Sequence, residues 1–99
     1  MVKVIIWTKT AQKVFDSMIE YRLAHADSSE SAKKFFLEVY NQIDKIAKHP
    51  TRGRMVRRTK SIRFVNFGKH YEIFYRMDGT TLYISNFFDT RQNPIKRPY

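Results

Sequence analysis

The chain has 99 residues, a length that fits one domain spanning residues 1–99, and it has no cysteine, which excludes disulfides and thiolate zinc sites. No apolar stretch approaches the roughly 18 residues of a membrane helix. The opening MVKVIIWTKT becomes polar too soon for a signal peptide, so we expect a soluble cytoplasmic protein without a membrane partner. The formal net charge is +10, from 19 Lys and Arg against 9 Asp and Glu, which points to an anionic partner.

The first two predicted elements are a strand and a helix. Residues 2–7, VKVIIW, form a short β-rich run that predicts the strand. Thr8 or Thr10 can cap the helix that follows. Beyond this point apolar residues recur three and four positions apart, so they should form one buried stripe: Ala11, Val14, Phe15, Met18 and Ile19.

The second predicted helix has the clearest pattern in the chain. Asp27 and Glu30 have the spacing of a capping box at its start, and Pro50 stops it. Between them an apolar stripe follows the helical repeat: Ala32, Phe35, Phe36, Val39, Ile43, Ile46 and Ala47. Because each helix needs a partner for its stripe, the two should pack as a hairpin.

The rest of the chain predicts strands. Residues 50–60 carry no clear period, whereas three later runs are rich in aromatic and β-branched side chains: residues 62–67, 71–77 and 81–88. Gly68-Lys69 can make the first hairpin turn, and Asp78-Gly79 is typical of a type I′ turn at the second.

These elements predict an α+β fold of order β-α-α-β-β-β. The two-helix hairpin should pack on one face of a mostly antiparallel four-stranded sheet and leave the other face partly open. The segment 89–99 contains Pro94 and Pro98, so it should not extend the sheet far.

The positive charge is concentrated between Asp44 and Glu72, an interval without any acidic residue. It holds nine cations: Lys45, Lys48, Arg52, Arg54, Arg57, Arg58, Lys60, Arg63 and Lys69. Such a concentration attracts phosphate backbones or an acidic protein. The alternative is a solvated, charge-rich loop without a dedicated partner.

Five features, in chain order, carry a resemblance to a known family. They are the strand ending in Trp7, the helical hairpin, the Pro50…Gly53-Arg54 step, the run YEIFYR before Asp78-Gly79, and a last strand running into FDTRQNP at residues 88–94. In a basic chain of this length, this order and spacing resembles the RelE/ParE toxin superfamily.

The resemblance implies the toxin of a type II toxin–antitoxin system. Such a toxin arrests growth when free, and a cognate antitoxin blocks its active surface. We expect this antitoxin to be acidic and to bind the basic, sheet-side surface. RelE-like members cut mRNA on the ribosome, whereas ParE-like members inhibit DNA gyrase and are not nucleases. The resemblance leaves open whether this chain is an enzyme at all.

For a RelE-like ribonuclease, the residues that could supply acid–base and phosphate-binding groups are Arg54, Arg63, His70, Glu72, Arg91 and Tyr99. In that scheme Arg54 and Arg63 hold phosphates, and Glu72 or His70 is the base. The simpler alternatives are that Glu72 pairs with Arg63 or Arg76 across strands, that His70 is an exposed turn residue, that Tyr99 is frayed, and that Arg91 bonds loop carbonyls or Asp89.

Two departures from RelE favour the ParE branch, and the run YEIFYR followed by Asp78-Gly79 resembles the plasmid-stabilisation group of that branch. RelE carries an arginine in the strand where Glu72 is the nearest equivalent, and its C-terminal tyrosine has no clean match, since Arg97 stands at about that spacing with Tyr99 two residues further on. For either branch, the residues expected to contact the target are Arg52, Arg54, Arg57, Arg58, Lys60, Arg63, Arg76 and Arg91.

A different class of function also fits the charge. Basic residues interleaved with aromatics on a sheet can stack bases, and the candidates for a non-toxic nucleic-acid-binding module are Phe64, Phe67, Tyr71, Phe74, Tyr83 and Phe87. Three histidines, at 25, 49 and 70, show no metal-binding spacing. No cysteine or serine stands in a nucleophile motif, so we expect neither metal nor cofactor.

Overall fold

The computed structural model describes residues 1–25, 29–59 and 61–99. Its elements are β1 (Val4–Trp7), α1 (Lys9–His25), α2 (Ser29–Lys48), β2 (Arg54–Met55), β3 (Arg63–Phe67), β4 (Tyr71–Asp78), β5 (Thr81–Asp89) and a short 3-10 helix (Pro94–Lys96). The capping-box residue Asp27 and the predicted target contact Lys60 lie outside the described residues. None of the described helices is both long and apolar enough to cross a membrane.

The sheet has five strands, ordered β1-β5-β4-β3-β2, so the prediction of four strands was wrong. The added strand β2 has only two residues and lies in the segment without a clear period, where no alternation marks it. Three of the strand pairs are antiparallel, but β1 runs parallel to β5, with Val4 opposite Thr81 and Trp7 opposite Ile84. A pairing between strands so far apart in sequence depends on tertiary packing, which a local pattern does not encode.

Helix α1 begins at its predicted cap. The Thr8 hydroxyl accepts a hydrogen bond from the Ala11 amide at 3.1 Å, as an N-cap residue does, and it also donates to the Ser85 carbonyl at 3.0 Å. One side chain therefore caps the helix and ties its start to β5. Of the two caps that the sequence offered, the structure uses Thr8.

The main hydrophobic core lies between the helical hairpin and one face of the sheet. Its buried members are Ala11, Phe15, Phe35, Val39, Ile43, Ile46, Phe67, Ile73, Tyr75, Leu82, Ile84 and Phe87. The predicted stripes are thus confirmed, with one exception at the rim. Phe36 is 42% exposed and stacks on Tyr40, with ring centroids 4.6 Å apart.

The β4–β5 hairpin is present, but its turn differs from the prediction. Asp78 still pairs with Thr81, so the turn consists of Gly79 and Thr80. Only Gly79 has a positive φ there, at 61°, which fits a type II′ turn with glycine in first position and not a type I′ turn.

A β-bulge in β5 decides which side chains reach the other face of the sheet. Phe74 pairs with Asn86 and Tyr75 pairs with Ile84, which leaves Ser85 as the extra residue. The bulge shifts the alternation, so that Phe88 joins a second buried cluster, away from the helices, with Val56, Ile62 and Phe74. This face is therefore less open than the sequence predicted.

Candidate functional site

The C-terminal tail, residues 90–99, folds back over the face of the sheet that the helices leave free; we call this the tail face. Asn93 caps the 3-10 helix by accepting a hydrogen bond from the Ile95 amide at 3.0 Å. Beyond it, Arg97 donates to Glu72 at 2.7 Å. The Tyr99 ring lies 5.0 Å from that of Phe74, and its hydroxyl donates to Ser85 Oγ at 3.1 Å. The expectation of a frayed Tyr99 was therefore wrong.

Glu72 is the buried acid of the tail face. It stands on the central strand β4 and is 5% exposed, and its Oε1 has no hydrogen-bond partner among the described residues. Burial raises the pKa of Glu72 above its ordinary value, and the positive charge of Arg97 opposes that rise. Its ion-pair partner is Arg97 rather than the predicted Arg63 or Arg76.

The predicted target contacts around β2 form one basic edge of the sheet, which we define as Arg52, Arg54, Arg57 and Arg58. All four side chains are exposed. Among the described residues the ion pairs are Asp89–Arg91 and Glu72–Arg97, so the basic edge has no carboxylate partner. Its charge is therefore free to meet an external anion.

Arg63 is not part of the basic edge, because its side chain binds backbone carbonyls of the protein itself. Its guanidinium donates to the carbonyls of Thr51 and Gly53, at 3.1 and 2.8 Å. Beside it the buried Tyr75 hydroxyl accepts from the Gly53 amide at 2.9 Å and donates to the Pro50 carbonyl at 2.8 Å. These bonds hold the segment that carries Arg52 and Arg54 against the sheet, so Arg63 positions the basic edge.

Two other candidates, His70 and Arg91, lie on the helix side of the sheet. They line a groove between the helical hairpin and the β3–β4 turn. Arg91 binds Asp89 at 2.8 Å, and its NH2 lies 3.4 Å from the Tyr71 hydroxyl. The bond from Arg91 lowers the pKa of Asp89. Because neighbouring strand residues point to opposite faces, Tyr71 and its groove are separated from Glu72 by the sheet.

The predicted base-stacking residues do not form a platform. Phe67, Tyr71 and Phe87 belong to or pack on the main core, and Phe64 and Phe74 contact each other within the second cluster. The remaining candidate, Tyr83, is half-buried beneath the Arg76 guanidinium, which lies 4.1 Å from its ring centroid. An aromatic surface free to accept successive bases is therefore missing from the described part of the sheet.

Three contacts at these sites were not predicted from the sequence. Arg97 stood out only for its spacing from the last strand, and nothing marked Ser85 as a bulge that meets Tyr99. The prediction that Arg22 faces mostly water was wrong, because its guanidinium donates to the Tyr71 hydroxyl and to Ser31. A basic residue inside an otherwise apolar helical face was the one available signal for Arg22.

Comparison with known proteins identifies the family and relatives of this fold. Residues 5–94 match the family model described as the ParE toxin of the type II toxin–antitoxin system, parDE. A chain in the structure of the chromosomal ParDE TA system from P. aeruginosa has the same fold, with a TM-score of 0.75 and 15% identity, over 89% of this chain and 96% of that one. No curated protein sequence matches significantly. Since the family model spans nearly the whole chain, the protein belongs to the ParE toxin family of type II toxin–antitoxin systems.

Proposed function

We propose that this protein is a cytoplasmic toxin that arrests growth by inhibiting DNA gyrase and is neutralised by a cognate acidic antitoxin. Membership of the ParE family supports the gyrase branch. The observation that carries the proposal is the separation of the residues that a ribonuclease would need together. Glu72 is bound by Arg97 beneath the tail, whereas His70 and Arg91 lie across the sheet from it.

The same separation argues against the RelE-like alternative. Cleavage at a ribose 2′-hydroxyl needs a base, an acid and cations around one phosphate, within hydrogen-bond reach of each other. Here Arg63 is occupied by loop carbonyls and Tyr99 by Ser85. Only Arg54 of the six candidates keeps an exposed, unpaired side chain.

The basic edge is the surface that we propose for the target. Its arginines lie just before the outermost strand β2, on it, and in the turn after it, and all of them are exposed. Gyrase works on DNA, so an exposed cationic edge can engage either the duplex or an acidic protein surface. Arg76 and Lys60, predicted with this group, remain candidates.

For the antitoxin we propose an apolar surface that lies apart from the basic edge, in place of the basic, sheet-side surface that the charge of the sequence predicts. Phe36, Leu37 and Tyr40 on α2 are 42–57% exposed, and Tyr40 continues the surface to Trp7 at a ring distance of 5.6 Å. Trp7 ends β1, an outer strand with exposed apolar residues at 4–6. An antitoxin with an apolar segment can bury this surface, and its acidic residues can neutralise part of the excess positive charge. Its binding should stabilise the fold by mass action.

A gyrase supercoiling assay beside primer extension on a ribosome-bound message tests the proposed target. We expect the purified protein to block supercoiling and leave the message intact. Arg54→Glu with Arg57→Glu should weaken inhibition strongly, whereas Lys33→Glu with Lys45→Glu makes the same charge change on exposed α2 positions and should not. Cleaved message would favour the ribonuclease, and DNA binding without effect in either assay would favour a plain nucleic-acid-binding module.

Salt dependence adds a second measure of the basic edge. If its arginines contact DNA phosphates, each lost contact should flatten the log–log dependence of binding on salt by about 0.9. An unchanged slope in the Arg54→Glu, Arg57→Glu variant would remove the basic edge from the proposal while leaving gyrase as the target.

A further inference from the structure

The groove on the helix side of the sheet is a second charged site, distinct from the basic edge. It has a volume of about 1110 Å³ and lies between α1, α2, the β3–β4 turn and the end of β5. Five cations line it: Lys13, Arg22, Lys34, Lys69 and Arg91. Glu38 and Asp89 are its only carboxylates among the described residues, and of the five cations only Arg91 forms an ion pair.

The Tyr71 hydroxyl is the best-defined polar group in this groove. It accepts a hydrogen bond from Arg22 and lies 3.4 Å from the Arg91 guanidinium. Both contacts use the lone pairs of the oxygen, and no described acceptor takes its proton. Two guanidinium groups and a hydroxyl whose proton is not used by a described acceptor therefore lie together in the groove lining. Phosphate oxygens are the ligands that such a set of donors suits.

The two arginines are held in place before any ligand arrives. Arg22 is anchored by Ser31 at 3.1 Å and lies over the Phe35 ring, 4.4 Å from its centroid. Asp89 fixes Arg91 through both of its carboxylate oxygens. Donors that are already oriented lose little conformational freedom on binding, which favours a bound anion.

We propose that this groove binds a nucleoside triphosphate, with the phosphates against the cations and the Tyr71 hydroxyl. The volume suits a ligand of mononucleotide size, and the excess of cations over carboxylates suits a chain of several phosphates rather than one. For the base, Tyr21 offers an aromatic ring that is 64% exposed and already stacked on His25 at 4.3 Å. The site is a concave groove bounded by four elements, a shape that fits a small ligand better than an extended strand.

Calorimetric titration of the purified protein with ATP, tripolyphosphate and adenosine tests this site. We expect ATP to bind more tightly than tripolyphosphate and adenosine to bind weakly. Lys34→Gln with Lys69→Gln should weaken ATP binding by at least about tenfold, since two charge-assisted contacts are lost. Lys33→Gln with Lys45→Gln removes the same charge from exposed positions outside the groove and should leave the affinity unchanged.

Tyr71→Phe gives a further test, because it removes the donor and keeps the ring. It should also weaken ATP and tripolyphosphate, and thermal unfolding without ligand shows that the variant is folded. An equal loss of ATP affinity in the control variant, Lys33→Gln with Lys45→Gln, would contradict the proposed site. An absence of ATP binding at millimolar concentration would contradict it as well. Equal affinity for ATP and tripolyphosphate would show that only the phosphates are bound, which would contradict the proposed contact with the nucleoside. A groove variant that lost binding of a DNA oligonucleotide but kept ATP would contradict the proposal in favour of nucleic acid.

Discussion

The two faces of the sheet are closed in different ways. On the helix face, α1 and α2 bury two long stripes of side chains in one continuous core. On the tail face, a small cluster around Phe74 is covered by a segment held through the Arg97–Glu72 ion pair, the Tyr99–Ser85 hydrogen bond and a few ring contacts. We therefore expect apolar burial on the first face to supply most of the stability, and the second face to be uncovered at a smaller cost in free energy.

The largest effect is expected on the helix face. Phe15 is 4% exposed. Its ring centroid lies within 6.5 Å of the ring centroids of Trp7, Phe35, Tyr40 and other aromatic residues. Phe15→Ala should therefore lower the free energy of unfolding by roughly 3–5 kcal/mol, measured by urea denaturation. An unchanged m-value would show that the loss of stability does not come from a change in the compactness of the denatured state. A loss below about 1.5 kcal/mol would contradict the view that this face carries the stability.

A smaller effect is expected in the segment that joins α2 to the edge strand β2. A Cβ placed on Gly53 would overlap the Tyr75 hydroxyl, which itself bonds the Gly53 amide and the Pro50 carbonyl. Gly53→Ala should cost roughly 2–3 kcal/mol in the free energy of unfolding, as overpacking does.

A double-mutant cycle separates this overlap from the hydrogen bonds. Tyr75→Phe alone should cost about 1–3 kcal/mol, because it leaves buried backbone groups without a partner. Combined with Gly53→Ala it should cost less than the sum of the two, since the obstructing oxygen is gone. Strict additivity would mean that the Tyr75 hydroxyl is not what limits space at Gly53.

On the tail face the ion pair should set how stability responds to pH. Burial raises the pKa of Glu72 above 4.5, so the folded state favours the neutral carboxyl more than the unfolded chain does. Glu72 therefore adds stability below pH 4.5, and this contribution is lost as the pH rises through its folded-state pKa. Arg97 opposes this rise in pKa. Arg97→Gln should therefore increase the loss of stability as the pH rises.

We expect Arg97→Gln to lower the free energy of unfolding by about 1–2 kcal/mol near neutral pH, and by less in acid. Urea midpoints measured between about pH 4 and pH 8 give the comparison with the unmodified chain. Glu72→Gln has no group to ionise and is the matched control, so this dependence should be missing from it. Parallel pH profiles for Arg97→Gln and the unmodified chain would contradict the assigned role of Arg97.

The contrast between the faces also explains what the sequence could predict. The helix face follows from periodicity, since residues such as Phe35, Val39 and Ile43 repeat at helical spacing and were confirmed as core. Cap and hairpin positions are local too, although the turn at Gly79 was displaced by one residue.

The tail face could not be predicted, because none of its contacts is local. Arg97 meets Glu72 only after the tail has reversed direction, and Tyr99 meets Ser85 only because a bulge turns that residue outward. Neither residue stands in a periodic pattern. The charge of the basic edge was visible in the sequence, but the difference between exposed Arg54 and loop-bound Arg63 depends on the fold.

The smallest expected effect tests how firmly the tail is held. Tyr99→Phe removes the bond to Ser85 and keeps the ring on Phe74, so it should cost only about 0.5–1.5 kcal/mol in the free energy of unfolding. Tyr83→Phe is the matched control, because the Tyr83 hydroxyl has no hydrogen bond within the described chain, and it should change nothing. Tyr99→Ala should cost more than Tyr99→Phe by the ring contact alone. If Tyr99→Phe lowered the free energy of unfolding as much as Phe15→Ala, the tail would stabilise the fold as strongly as the main hydrophobic core does, and the two faces would not differ.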